Sequence, residues 1–310
     1  MQRKILIAVD ASIHSRNALD YALQVNAQLI RVDFVLVNIQ PIISQYLLAE
    51  ALKRPKAKAE LDKVYEENRL ASEQLLEDLR KRMIDKGIDP PCVEIKTQPR
   101  SDGIAADIVN CAEAGAYDAI LVGRRGVSGL QELFMGSVTS NLLAGSKVIP
   151  VWIVDGVVKS SRILIAVDGS PISLRAVDHV AFMLSENRQV TLEFLNIQPR
   201  VGEICEIDPQ PGATGQLEQA LMTSNEKCIA DFSAVATGIL KKAGFDDTQI
   251  VFRSEKKKIL TGKAIVEILK KEDFGTVVIG KSGAGRNSHF GSVAGHVIQK
   301  AADRAIWIVP

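Results

Sequence analysis

Residues 3–10 read RKILIAVD, and residues 161–168 read SRILIAVD, 158 positions further along the same chain. The correspondence continues in order. Asn38-Ile39-Gln40-Pro41 returns as Asn196-Ile197-Gln198-Pro199 at the same offset, Gly87 and Gly123 return as Gly244 and Gly280 at 157, and Gly136 and Trp152 return as Gly291 and Trp307 at 155. An offset that shrinks this slowly marks two tandem modules of about 150 residues, not the roughly 20–50-residue period of a solenoid. Two domains, 1–156 and 160–310, are expected, joined through a short linker around 155–161 that holds Gly156, Lys159, Ser160 and Ser161.

Within each half, apolar runs alternate with helical patterns. Residues 5–9, 34–39, 119–122 and 148–154 are short and rich in Val and Ile, as strands covered on both faces of a parallel sheet must be. Residues 15–29 and 59–86 carry helical periodicity, with Leu70, Leu75, Leu76, Leu79 and Met83 on one stripe and Gly87 placed to end the helix. Strand alternating with helix predicts an α/β protein of two tandem doubly wound parallel sheets.

Composition removes several classes of function. The chain is 46% hydrophobic, enough for a sizeable core, and its 38 basic residues against 37 acidic ones leave no general pull toward nucleic acid or an acidic membrane. Divided after Asp155, the halves carry 19 basic against 20 acidic and 19 against 17, so neither hides a basic domain. Cys92, Cys111, Cys205 and Cys228 show no CxxC spacing and no nearby His pair, which argues against a disulfide framework or a zinc site. No apolar stretch approaches the ~20 residues of a membrane span, and the N-terminal apolar run is too short for a signal peptide. A soluble, reduced, cytoplasmic protein is expected.

In an open parallel sheet, ligands bind beyond the carboxyl ends of the strands, where strand order reverses. The loop after residues 119–122 runs Gly123, Arg124, Arg125, Gly126, Val127, Ser128, Gly129 and on to Gly136 and Ser137, a G-x2-G-x9-G-S pattern. Glycines let backbone amides turn inward, and a helix opening at Gly136-Ser137 presents unbonded amides and a positive dipole end to an anion. Arg124 and Arg125 can add charge-assisted bonds or be solvated. Asp10 ends the first strand in Asp10-Ala11-Ser12, where its carboxylate can accept from a base amino group or a ribose hydroxyl, or can cap the next helix. The residues alone leave both roles open, and the recurrence at Asp168-Gly169-Ser170 records the duplication without choosing between them.

These residues together resemble the tandem universal stress proteins of the UspA superfamily, in the subclass that binds ATP. The resemblance spans nearly the whole chain. It rests on the strand-ending Asp of each half, the glycine pattern of the first half and the Val- and Ile-rich strand closing each half. It implies a five-stranded parallel sheet of order 3-2-1-4-5 in each half and binding of ATP, ADP or AMP. Asp10 and the backbone of Ile39 would then recognise adenine, with Ala11 and Ser12 beside the nucleotide. Gly123 would lie against the ribose, and Gly126, Gly136, Ser137 and Val138, with Arg124 beside them, would surround the phosphates. Mg2+ would enter through the phosphates, since the sequence carries no carboxylate cluster dedicated to a metal. Single-module relatives pair through the last strand, so the strands at 151–154 and 306–309 are expected to pair the two modules as an internal pseudo-dimer, with a homodimer beyond that left open. The alternative is that Trp152 and Trp307 fill each module's own core.

The second half departs from the pattern. Gly280, Lys281, Ser282 and Gly283 are followed by only seven residues before Gly291, Ser292 and Val293. A residue spans at most about 3.3–3.6 Å, so the shorter loop arches less far over a phosphate chain. Asp168, Gly169, Ser170 and Ile197 keep the base-side positions, and this half would bind adenosine or AMP, bind something else, or stay empty. Lys281, Arg286 and His289 either serve an anion there or are exposed loop residues. Residues 275–282, GTVVIGKS, match the Walker pattern, but 276–279 read as a strand, and an extended backbone cannot wrap a phosphate.

His14, His179, His289 and His296 form no HExxH, nucleophile elbow or Cys-His set. Residues 97–102 read as a helix cap, and Lys256, Lys257 and Lys258 as a solvated run too short for a nucleic-acid footprint. Three functions stand: a nucleotide-binding stress-response switch, an adenylyl- or phosphoryl-transfer enzyme, and an interaction scaffold with vestigial pockets. The first is preferred because no general base or metal triad is legible, leaving at most slow hydrolysis or autophosphorylation at Ser137.

Overall fold

The computed structural model describes residues 2–125, 135–198, 214–256, 259–282 and 291–310. Contacts gather the chain into two compact units, one of Met1–Leu23 with Arg31–Val151, the other of Gln24–Ile30 with Trp152–Pro310.

In the first unit, β1 (Arg3–Ala8), β2 (Val32–Ile39), β3 (Val93–Gln98) and β4 (Ala119–Gly123) precede β5 (Val151–Val154), whose first residue belongs here. Their order is β3-β2-β1-β4-β5, as expected. All pairings of β1 are parallel, with Ile5 beside Phe34 on one side and Ala119 on the other. Ile5, Leu6 and Ile7 are fully buried, which is why this strand reads as an unbroken apolar run. Burying each such side chain contributes about 1.5–3 kcal/mol. The strand at 93–98 escaped the sequence reading because it has one neighbour, β2, and alternates apolar with charged residues, as an edge strand does.

The helices of this half are α1 (Ile13–Asn26), α2 (Gln45–Lys53), α3 (Pro55–Asp85), α4 (Ile104–Ala114) and α5 (Ser137–Gly145). The α3 stripe lies inward at Leu76, Leu79 and Met83, while Leu70 is exposed. Gly87, at φ +100, ends α3: its amide donates to the Ile84 carbonyl (2.9 Å) and that of Ile88 to the Met83 carbonyl (3.2 Å). This is the paired-bond stop that a left-handed residue makes possible.

The second unit repeats the pattern with β6 (Ile163–Ala166), β7 (Leu192–Ile197), β8 (Ile250–Glu255), β9 (Thr276–Gly280) and β10 (Ala305–Val309), ordered β8-β7-β6-β9-β10. Among its described residues the helices are α6 (Pro171–Leu184), α7 (Thr214–Lys242), α8 (Thr261–Lys271) and α9 (Ser292–Lys300). Gly244, at φ +94, stops α7 with the same two bonds that Gly87 provides. The Walker match falls on β9, an extended strand, as its apolar residues require. This unit also holds a buried aromatic group: Trp152 and Trp307 stack with centroids 3.8 Å apart, and the Trp152 indole donates to His179 Nε2 at 3.0 Å.

Candidate functional site

In a 3-2-1-4-5 sheet the strand order reverses between β1 and β4, so the crevice beyond their carboxyl ends is the place for a ligand. Asp10 follows β1, Gly123 ends β4, and the two strands pair at Ala8 and Val122. One Asp10 carboxylate oxygen accepts from the Ser12 amide (3.0 Å) and the Ser15 hydroxyl (2.7 Å), and the Asp10 amide donates to Ser15 Oγ (2.8 Å). The Ser15 amide donates to the Ser12 hydroxyl at 3.2 Å, which makes Ser12 the cap of α1. Asp168, Ser170 and Ser173 make the same four bonds at 3.0, 2.7, 3.1 and 3.2 Å. Closing the strand-to-helix turn is therefore a real task of this carboxylate in both units. A carboxylate has about four acceptor positions, so the task is compatible with a ligand contact.

Gly123 has a packing reason of its own. A Cβ on it would lie 2.7 Å from both the carbonyl carbon and oxygen of His14, inside van der Waals contact with the backbone that starts α1. The Thr139 hydroxyl donates to the Gly123 carbonyl at 3.1 Å, tying strand end to α5. Arg124 is only 3% exposed, so of the two arginines it is not a solvated surface residue.

Gly136 sits at φ −60 and ψ 147, a conformation any residue adopts, so its value is the missing side chain and not its flexibility. Its amide, expected to face a phosphate, instead donates to the Arg124 carbonyl at 3.0 Å. The first intrahelical bond of α5 is Ser140 to Gly136 at 3.0 Å, and Gly136 has no side chain to cap the turn. The amides of Ser137, Val138 and Thr139 thus have no acceptor in the helix and lie at its positive end, with Ser137 exposed. In the second unit Gly291 donates to the Lys281 carbonyl at 3.1 Å and precedes α9 in the same way, with Ser292 exposed and Val293 half-buried. The two loops are pinched by the same bond, so the two-residue difference in length falls between identical ends. Gly126, Gly129, Gly283, Arg286 and His289 lie outside the described residues.

Ile39 ends β2 in register with Gln98, and Ile197 ends β7 in register with Glu255. Beside them is a polar chain that sequence reading missed. Gln40 donates to Thr97 (2.9 Å), Thr97 to Ser72 (2.6 Å), Ser72 to Asn38 Oδ1 (2.7 Å), and the Asn38 amide group to the Val9 carbonyl (2.8 Å). It locks the carboxyl ends of β1, β2 and β3 to α3 just behind Asp10. The repeated Asn-Ile-Gln-Pro segment was its only signal in the sequence. Asp107, 1% exposed, pins the next loop by accepting from the amides of Ser101 (2.9 Å), Asp102 (3.0 Å) and Gly103 (3.4 Å). Burial alone would raise its pKa, but these bonds outweigh it and hold the carboxyl below the ordinary range. No metal-ligating group of three His, Cys, Asp or Glu occurs among the described residues, and no described helix is long and apolar enough to cross a membrane.

Two successive five-strand repeats, each with an acid after its first strand and a glycine-opened helix after its fourth, define a tandem doubly wound α/β protein. The model of the universal stress protein family matches residues 1–155 and again 159–305, and the chain belongs to that family. The universal stress protein YxiE of Bacillus subtilis is 28% identical over 155 residues, 50% of this chain and 99% of its own length. A universal stress protein of Mycolicibacterium smegmatis is 26% identical over 209 residues, 66% of this chain and 67% of its own. A crystal structure of a universal stress protein from Archaeoglobus fulgidus shares the fold, with a TM-score of 0.65 at 19% identity, covering 99% of this chain and 97% of that one.

Proposed function

We propose that this protein binds an adenine nucleotide, ATP or AMP, in the crevice of the first unit and serves a stress response as a binding switch. The observation that carries the reading is the uncapped start of α5 at the β1/β4 switch point. Gly136 supplies no side-chain cap to the amides of Ser137, Val138 and Thr139 at this dipole end, and Ser137 is exposed. Such a helix start favours a negative group by about 0.3–1 kcal/mol at an exposed site and by up to about 2 kcal/mol where it is partly buried. Ser137 adds a hydroxyl, Asp10 and the backbone around Ile39 offer polar groups to a purine edge, and the phosphates bring any Mg2+ with them. A ligand that binds one conformation of a protein better than another shifts the population toward it, and the proposed switch is of that kind. The chain's residues in this reading bind and orient, and do not transfer a group.

Denaturing the purified protein and chromatographing what it releases tests the reading at once: adenine nucleotide is expected. Gly136→Val places two methyl groups over the helix start without demanding a new backbone conformation, and calorimetry should show ATP affinity in the first unit abolished. Unchanged affinity would overturn the assignment. The internal bonds of Asp10, Asp168 and the Gly136 amide favour a second reading, a scaffold whose pattern persists for structural reasons. That reading expects no released nucleotide.

A further inference from the structure

The two units diverge beside the strand-end acid. Gly169 stands where the first unit has Ala11, and its φ of +78 is left-handed. A Cβ on Gly169 would lie 2.6 Å from the Cys228 sulfur and 3.6 Å from Cδ1 of Ile229, both on α7. Counted back from the helix-stopping glycines Gly244 and Gly87, Cys228 corresponds to Ala71 and Ile229 to Ser72 on α3. Volume has changed places. The first unit has a methyl on the loop and an alanine on the helix; the second has neither, and a longer thiol reaches over the bare glycine. Ala11 is exposed, whereas Gly169 is half-covered.

The neighbouring exchange removes a hydrogen-bonding group. Ser72 bridges Asn38 and Thr97 in the first unit, and Ile229 cannot. In the second unit Asn225 donates to Asn196 Oδ1 at 3.0 Å instead, and a cavity of about 70 Å3 remains among Val167, Asn196, Ile229, Phe252, Arg253 and Ser254. That volume has room for water and not for a purine. The second crevice therefore differs from the first in its wall as well as in its loop length.

We propose that Cys228 is the residue that excludes a purine from the second unit: its thiol covers the main chain of Gly169, next to Asp168, where the first unit leaves Ala11 open. The proposal rests on the reading of the first crevice as an adenine-nucleotide site. The Cys228 side chain is exposed, and its sulfur stands 2.6 Å from where a Cβ on Gly169 would be, so a base laid on that main chain would have to displace it. Cutting the side chain back to alanine reproduces the helix residue of the first unit and leaves the exposed helix surface otherwise intact.

The test is calorimetric titration of the full chain with ATP. Wild type is expected to bind one ATP per chain. Cys228→Ala is expected to bind a second, at least tenfold tighter than any second binding in wild type, and Cys228→Leu to remain at one. Two equal sites in wild type, or one site in both wild type and Cys228→Ala, would overturn the role of Cys228, and the latter would leave the first-unit reading standing. No ATP bound by either protein would remove the first-unit reading and this inference together.

Discussion

His179 lies on α6 in the second unit, 9% exposed, with its ring edge-on to Trp152 and Trp307 at centroid distances of 5.8 and 5.7 Å. Its Nε2 accepts from the Trp152 indole at 3.0 Å, so the neutral ring carries its proton on Nδ1. Protonating Nε2 would set two donors against each other in an apolar site. Burial accordingly pushes the imidazole from 6.5 down to about 3. The unfolded chain takes up this proton at its ordinary value near 6.5 while the folded chain refuses it, so the group's contribution is complete above pH 6.5. It is lost as the pH falls from 6.5 toward 3. Each pH unit in that window costs about 1.4 kcal/mol, so about 2 kcal/mol is gone at pH 5 and about 5 kcal/mol below pH 3. Urea unfolding of wild type and His179→Gln between pH 8 and pH 5 isolates the effect, because glutamine keeps an acceptor for the indole and does not titrate. The stability difference between the two should be flat above pH 6.5 and then move against wild type with the stated slope. Parallel pH dependences, or an NMR titration of the folded imidazole with a midpoint near 6.5, would refute the reasoning.

Three further outcomes follow from close contacts and buried bonds. Gly123→Ala drives a methyl into the His14 backbone and should destabilise by about 1–3 kcal/mol in urea. Gly280→Ala meets the Ile172 side chain, at 2.5 Å from Cγ2, which can give way, and should cost less; the reverse order would contradict the packing. Asp107→Asn replaces an acceptor of three amides by a group that is half donor and should cost about 1–3 kcal/mol, the difference shrinking as pH falls through the depressed pKa of the wild-type carboxyl. Ser72→Ala leaves the Thr97 hydroxyl and Asn38 Oδ1 without their shared partner and should cost about 1–3 kcal/mol, whereas Ile229→Ser in the second unit gains no matching bond, because Asn196 Oδ1 already accepts from Asn225 and from the Ser254 hydroxyl. A loss from Ser72→Ala no greater than that of an exposed serine would show the chain to be idle.

The duplication and the parallel strand repeats were legible in the amino-acid sequence. Each is written in local patterns: apolar runs buried on two faces, glycines stopping α3 and α7, and an acid directly after a strand. What the sequence left open is decided by groups far apart in the chain. Asp10 turns out to close its turn through Ser12 and Ser15, Gly123 to yield space to His14, and the Gly136 amide to bond Arg124 across the loop. The polar chain from Gln40 to Val9 joins the ends of three strands and a helix, and beyond the repeated Asn-Ile-Gln-Pro segment nothing along the sequence announces it. The thiol of Cys228 over Gly169 is of the same kind, because volume is conserved between neighbours in space and only the tertiary structure says which residues are neighbours.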